Sequence, residues 1–202
     1  MTGKTHMAVG VGAATIMLPS NDIKSILGGT ALAVIGSLIV DIDTHKSKGF
    51  IFLKNLLGCA IILIILGLLV KFKFNINIFN YITQNKELTK LFPAFVIFLI
   101  LIVLGSISSH RSFTHSIIGF ILFTIPIYMM TGELFKWFAI GYIAHILADM
   151  LNKKEIKILY PMKKGIALHL CSADGKVDKF LFIISVGIII LKYLSYINSI
   201  VN

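Results

Sequence analysis

Apolar residues in this chain come in long runs, not in the alternation or the three-and-four spacing of a half-buried soluble element. Ile51 to Val70, Leu91 to Ser109, Ser112 to Met130 and Phe180 to Val201 are such runs. Each is long enough to cross a hydrocarbon core of about 30 Å, which takes about 20 helical residues. Lys24 to Val40 and Leu134 to Leu151 lie near the lower limit of about 17. Met7 to Pro19 is shorter and predicts a partial span or a re-entrant helix paired with the next segment. The pattern predicts an all-α fold: a polytopic membrane helical bundle of about six to seven helices, forming one integral membrane domain over residues 1–202. Two polar stretches interrupt it, Lys71 to Lys90 and Asn152 to Lys179. In the second, Tyr160-Pro161-Met162 and Gly165 to Leu170 supply apolar contacts, so an ordered loop lying over the adjacent helix ends is expected.

Composition agrees: 57% of residues are hydrophobic, mean hydropathy is +0.92 and only 14% are charged, against roughly a quarter charged in soluble domains. Lys4 before an apolar stretch resembles a signal peptide, but no A-x-A cleavage site follows, and Gly10, Gly12, Ala13 and Ala14 suit close helix packing. Cys59 and Cys171 are read as small buried side chains and not as a disulfide.

Counted as crossings, the runs place all six histidines on one side of the bilayer. His6 precedes the first run, while Asp41, Asp43 and His45 close the second. His110 and His115 straddle the junction of the fourth and fifth. His145 and Asp149 stand near the end of the sixth, with His169 in the loop beyond. An even number of crossings separates each cluster from the next; if only one of the first two runs crosses, His6 changes sides. The net charge is +10, and of nineteen basic residues seven lie at the opposite ends (Lys24, Lys71, Lys73, Lys86, Lys90, Lys136 and Lys192), leaving twelve on the histidine side. The positive-inside rule makes that side cytoplasmic. The basic excess suits anionic headgroups, and without an aromatic-interleaved basic motif nucleic acid is not expected as a partner.

His145 and Asp149, four apart, share one helical face and can converge on one cation. Asp149 near a helix C-terminus meets a macrodipole that disfavours an anion by about 0.3–1 kcal/mol, so it needs a positive partner. Asp41 and Asp43 at membrane depth would cost roughly 2.5–3.5 kcal/mol each without compensation. In an ideal helix these two point about 200° apart, so either the helix frays there or they serve different metals. His110-Arg111-Ser112-Phe113-Thr114-His115-Ser116 adds two histidines at ordinary ligand spacing, with Ser109 or Ser112 as the expected cap of the following helix and Arg111 as a planar fork for phosphate or carboxylate. His45 and His169 sit in lysine-bearing loops and are expected to face solvent or headgroups. The candidate metal ligands are therefore His6, Asp41, Asp43, His110, His115, His145 and Asp149. Imidazole and carboxylate donors suit zinc first, with manganese or iron as alternatives. Seven exceed the demand of one four-coordinate ion, so one or two divalent ions are expected, two of them sharing a bridging water.

Gly3-Lys4-Thr5-His6, Gly36-Ser37-Leu38 leading to Asp41-Ile42-Asp43, the His110 to Ser116 motif, and Gly141-Tyr142 with His145 and Asp149 together resemble the YdjM-type family of bacterial inner-membrane proteins, described as metal-dependent hydrolases. The resemblance spans nearly the whole chain and implies a helical protein of the bacterial inner membrane whose His and Asp residues bind metal. Its His-x-x-x-Asp element is similar to that of zinc-dependent phospholipase C, an analogy of motif alone. The chain departs from the pattern at Val40, where proline is usual, at Thr44 with His45 one place late, and at Asn152-Lys153-Lys154-Glu155 in place of a Thr/Gly turn. These changes bear on the shape of the substrate entrance.

The expected function is a membrane-embedded metal-dependent hydrolase acting on a phosphoester or ester of a lipid or lipid-linked anionic substrate at the cytoplasmic face. Arg111 would hold the anionic group, and whichever of Asp41 and Asp43 is not a full ligand would orient or deprotonate water. The alternatives are a non-catalytic metal sensor or permease, or a scaffold recruiting a cytoplasmic partner through the 152–179 loop. The mid-span stretches Ile61 to Leu66 and Val96 to Leu104 carry no ionisable group, which disfavours a permease.

Overall fold

The computed structural model describes residues 1–18, 22–44, 48–74 and 84–201. Its α-helices are α1 (Gly3–Met17), α2 (Ile23–Ile39), α3 (Lys48–Phe74), α4 (Lys86–Ile107), α5 (Ile117–Thr131), α6 (Phe135–Met150) and α7 (Lys176–Val201). No strand occurs among the described residues, only two isolated bridges. Stretches long and apolar enough to cross a membrane are Ile23–Asp43, Lys86–Ile107, Ile117–Met150 and Lys176–Asn198. The third is a hairpin: Gly132, at φ 55, breaks it, and its two ends meet where His115 lies 3.3 Å from Asp149. The 15 residues of α1 span only about 22 Å, which fits the short N-terminal helix expected from the sequence.

Small residues decide how the bundle closes. A Cβ on Gly36 would lie 2.2 Å from the Phe138 carbonyl oxygen, and one on Gly141 would lie 2.3 Å from that of Ala33. On Gly10 it would meet Ser37 Oγ at 1.9 Å. Helices α1, α2 and α6 therefore touch backbone to backbone, the small-residue packing that substitutes for a hydrophobic driving force inside a membrane. Val11, Ala14, Ala33 and Trp137 fill the space beside this contact. A second apolar cluster, including Ile42, Phe98, Ile102, Phe123, Phe138, Tyr142 and Ile156, ties α4, α5 and α6 to the end of α2. The outward faces of α4 and α7 stay apolar and exposed, as lipid-facing surfaces must.

Between spans the chain departs from the expected boundaries. The helix anticipated from Ser112 starts at Ile117, and its cap is Ser116, whose side chain accepts from Gly119 N–H at 3.0 Å; neither Ser109 nor Ser112 fills that role. The cause is a 3-10 turn, Phe113–His115. Its backbone is held away from helical geometry by Tyr142, whose hydroxyl donates to the Thr114 carbonyl, and by Asp43, which accepts from Arg111 N–H at 2.9 Å and Thr114 Oγ1 at 3.0 Å. The expected 152–179 loop ends at Gly175, since α7 begins at Lys176. It is ordered by Ile156–Ile166 backbone pairing, and Leu168 N–H and Leu170 N–H bind the carbonyls of Met150 and Leu151 at the end of α6. Cys171 is buried as anticipated, whereas Cys59 is exposed.

Overpacking a closed interface typically costs about 1–3 kcal/mol. Gly36→Ala and Gly141→Ala are each expected to lower the unfolding temperature in detergent, while Gly187→Ala, which meets nothing within 4 Å, is not. Equal thermal shifts for all three would contradict this view of the packing.

Candidate metal centre

Four elements deliver side chains to one point. The end of α2 tightens into a 3-10 turn, Val40–Asp43, that presents Asp41 and Asp43. The Phe113–His115 turn presents His115. Helix α6 presents His145 and Asp149 on one face, and α1 presents His6. Donor atoms of Asp41, His115, His145 and Asp149 all lie within 4.8 Å of one another, close enough to hold a metal ion. His115 Nε2 is 3.3 Å from Asp149 Oδ2 and 3.8 Å from Asp41 Oδ1. His145 Nε2 is 3.9 and 3.7 Å from the same two oxygens.

Hydrogen bonds on the far side of each ring set its tautomer. His145 Nδ1 sits 2.6 Å from the Ser37 carbonyl, an atom that can only accept, so Nδ1 carries the proton and Nε2 turns a lone pair inward. His115 Nδ1 lies 3.1 Å from Thr114 Oγ1, whose own proton goes to Asp43, and 3.4 Å from Asp43 Oδ2, the carboxylate–histidine arrangement that orients metal-binding imidazoles. Both Nε2 atoms are buried without a hydrogen-bond partner. Two buried imidazole nitrogens that lack partners beside two carboxylates fit a divalent cation, which would satisfy all four at once.

The other predicted residues stand around this core. Asp43 does not join the four donors; it accepts from the Arg111 N–H and Thr114 Oγ1 and faces His115 Nδ1, while His110 Nδ1 lies 3.0 Å from its other oxygen. The two carboxylates thus serve opposite edges of one imidazole, which answers their angular separation without a second metal: Asp41 faces His115 Nε2 and Asp43 faces Nδ1. His110 is displaced outward, its side chain 43% exposed. His6 stacks on His145 with ring centroids 3.8 Å apart and reaches Asp149 Oδ1 at 3.2 Å. Arg111 pairs with Asp149 Oδ2 at 3.2 Å through Nη2, giving that carboxylate a positive partner against the helix dipole. His169 stays in the loop, bonded locally to the Ala167 carbonyl, and His45 lies outside the described residues.

Several supporting roles were not read from the sequence. Asn152 Nδ2 donates to Asp149 Oδ1 at 2.7 Å, one turn along the same face, a spacing that signals such a bond. The Ser37 carbonyl and the Thr114 hydroxyl leave no comparable trace, because both depend on contacts between distant segments.

Burial alone would lower the pKa of His115, on the turn between α4 and α5, but Asp149 and Asp43 outweigh it and hold it up at about 9. Without metal the two nearby carboxylates thus favour the protonated ring. Its stabilising effect is complete below the unfolded value of about 6.5 and is lost as pH rises through about 9.

An all-helical membrane bundle with a His/Asp cluster able to hold a metal at its helix ends is the class of protein that fold and site define. The chain belongs to the YdjM inner membrane protein family, whose family model matches residues 1–199. No curated protein and no solved structure matches it.

Zinc titrated into the metal-free protein at neutral pH is expected to release the His115 proton, read as a dependence of binding heat on buffer ionisation enthalpy, with release fading above about pH 9. Asp43→Asn is expected to weaken zinc binding by about 10- to 100-fold although the four donors remain. Unchanged affinity would remove Asp43 from the site.

Proposed function

We propose that this protein is a membrane-embedded metal-dependent hydrolase that cleaves a phosphoester or ester in a lipid or lipid-linked anionic substrate at the cytoplasmic face. The observation that carries the proposal is the convergence of Asp41, His115, His145 and Asp149, with both inward imidazole nitrogens lacking partners. These four would hold the ion, zinc being the best match to two imidazoles and two carboxylates, with manganese or iron also compatible. A bound divalent ion would supply Lewis acidity and a nucleophile at neutral pH.

The remaining work falls to the chain's own groups. Asp41 is the more open of the acids, its side chain 23% exposed, whereas Asp43 is fully enclosed and occupied by donors. We therefore assign the acceptance of a proton from the attacking water to the second carboxylate oxygen of Asp41, the one that would not hold the ion, and to Asp43 the orientation of His115. Arg111 keeps a buried Nε–H without a partner beside the cluster, a donor suited to an anionic ester oxygen. His6 and Asn152 fix Asp149 from behind. A site at helix ends suits a lipid, whose head can reach the donors while its tails stay among the helices. The twelve basic residues of nineteen on this side support the cytoplasmic orientation.

Incubation of the purified protein with defined phospholipids and polyprenyl phosphates, supplied with zinc, manganese or iron, is expected to give new products by mass spectrometry. Asp41→Asn is expected to slow turnover by about 10²–10⁴-fold, the usual worth of a general base, while retaining measurable metal. Absence of turnover with every metal and substrate class, in protein that still binds metal, would favour a sensor. Absence of both turnover and metal binding would favour a scaffold.

A further inference from the structure

The loop between α6 and α7 packs over the His/Asp cluster but leaves several of its own apolar residues exposed. Lys157 N–H donates to the Arg111 carbonyl at 2.9 Å, and Ile117 N–H, the first of α5, donates to the Ile158 carbonyl at 3.0 Å. Ile156 is fully buried beneath. Just beyond these anchors the chain turns outward, and Leu159 and Met162 are 52% and 59% exposed. Lys163 and Lys164 follow directly and are exposed. From Asn152 to Cys171 five lysines face one glutamate.

Helix lengths place this tip relative to the bilayer. The far end of the α5–α6 hairpin is marked by the exposed pair Glu133–Lys136, charges that belong at an interface. From there α5 and α6, with 15 and 16 residues, rise only about 22–24 Å at 1.5 Å per residue. A hydrocarbon core of about 30 Å is thicker than that. Ile23–Asp43 and α4, however, with 21 and 22 residues, rise about 31–33 Å and end beside the Phe113–His115 turn, so the top of the hairpin, where Ile158 binds Ile117, lies near the opposite edge of the hydrocarbon. The loop packs on that end, which brings its exposed apolar side chains to the boundary between acyl chains and headgroups.

We infer that the 156–166 loop is a membrane-reading element: Leu159 and Met162 insert at the acyl boundary of the leaflet above the metal centre, and Lys163 and Lys164 bind the phosphates of its anionic phospholipids. Apolar anchors with adjacent lysines are the combination that holds a segment at an anionic interface. The inference rests on the membrane fold and the loop's own chemistry, not on the hydrolase reading, and its test reads no catalysis.

The full chain carrying Met162→Trp, or Leu159→Trp as a second site, is reconstituted in nanodiscs of phosphatidylcholine with increasing phosphatidylglycerol. The natural Trp137 is 5% exposed and supplies a fixed background. The new indole is expected to be quenched by lipids brominated on the upper acyl chain and shielded from aqueous iodide, more strongly as phosphatidylglycerol rises. Lys163→Gln and Lys164→Gln are each expected to raise the phosphatidylglycerol fraction needed for half-maximal quenching by up to about fivefold, the equivalent of one lysine's attraction. Quenching by iodide alone, or lipid quenching indifferent to both phosphatidylglycerol and the lysines, would overturn the inference.

Discussion

At their closest approach, where Gly36 meets the Phe138 carbonyl and Gly141 meets that of Ala33, the backbones of α2 and α6 pass each other in direct contact, and the His/Asp cluster depends on that contact. Ser37 Oγ donates to the Ala33 carbonyl at 2.8 Å and lies 3.3 Å from that of Gly141, so the hydroxyl is spent inside the interface. The Ser37 carbonyl is left to accept from His145 Nδ1. A larger residue at Gly36 or Gly141 would hold the helices apart by its Cβ, and His145 would lose the bond that fixes its tautomer. The same crossing carries the end of α2 over the end of α6, where Asp41 and Asp149 both approach His115 Nε2. Local packing of small residues and the geometry of the donors are one fact at two scales.

Charge balance is the second constraint. Asp149 is 2% exposed and Asp43 7%, at a depth where an isolated carboxylate is costly. Each is surrounded by donors: Arg111, His6 and Asn152 around Asp149, and His110, Thr114 and the Arg111 backbone around Asp43. Arg111 touches both groups, through its guanidinium and its N–H, and its φ of 62° places a non-glycine residue in the left-handed region. That conformation aims the N–H at Asp43 while the side chain turns back toward Asp149. The Arg111 guanidinium also donates to the Lys154 carbonyl, which links the covering loop to the site.

Much of this was legible in the chain. Uninterrupted apolar runs gave the spans, because a lipid-facing helix has no polar face to create a period. Parity put His6, Asp41, Asp43, His110, His115, His145 and Asp149 on one side, and all seven come into a single network of contacts. What the sequence left open was their order of approach. The spacing of His145 and Asp149 survives in α6, whereas Asp41 and Asp43 are two apart in a 3-10 turn, not in an α-helix, so their directions could not be taken from helical geometry. The boundary of α5 was misplaced for a similar reason: Tyr142 and Asp43, distant in sequence, hold the Phe113–His115 turn open. Asn152, read only as a departure from the family pattern, carries a bond to Asp149.

The central claim is that one ion sits among Asp41, His115, His145 and Asp149. X-ray absorption at the zinc edge of the zinc-loaded protein addresses this directly, since it reports the ligand atoms around the ion. Two imidazole nitrogens and carboxylate oxygens at about 2.0–2.2 Å, with the imidazole signal halved in His145→Ala, is the predicted result. A sulfur ligand, or a spectrum unchanged by loss of His145, would place the ion elsewhere and contradict the account.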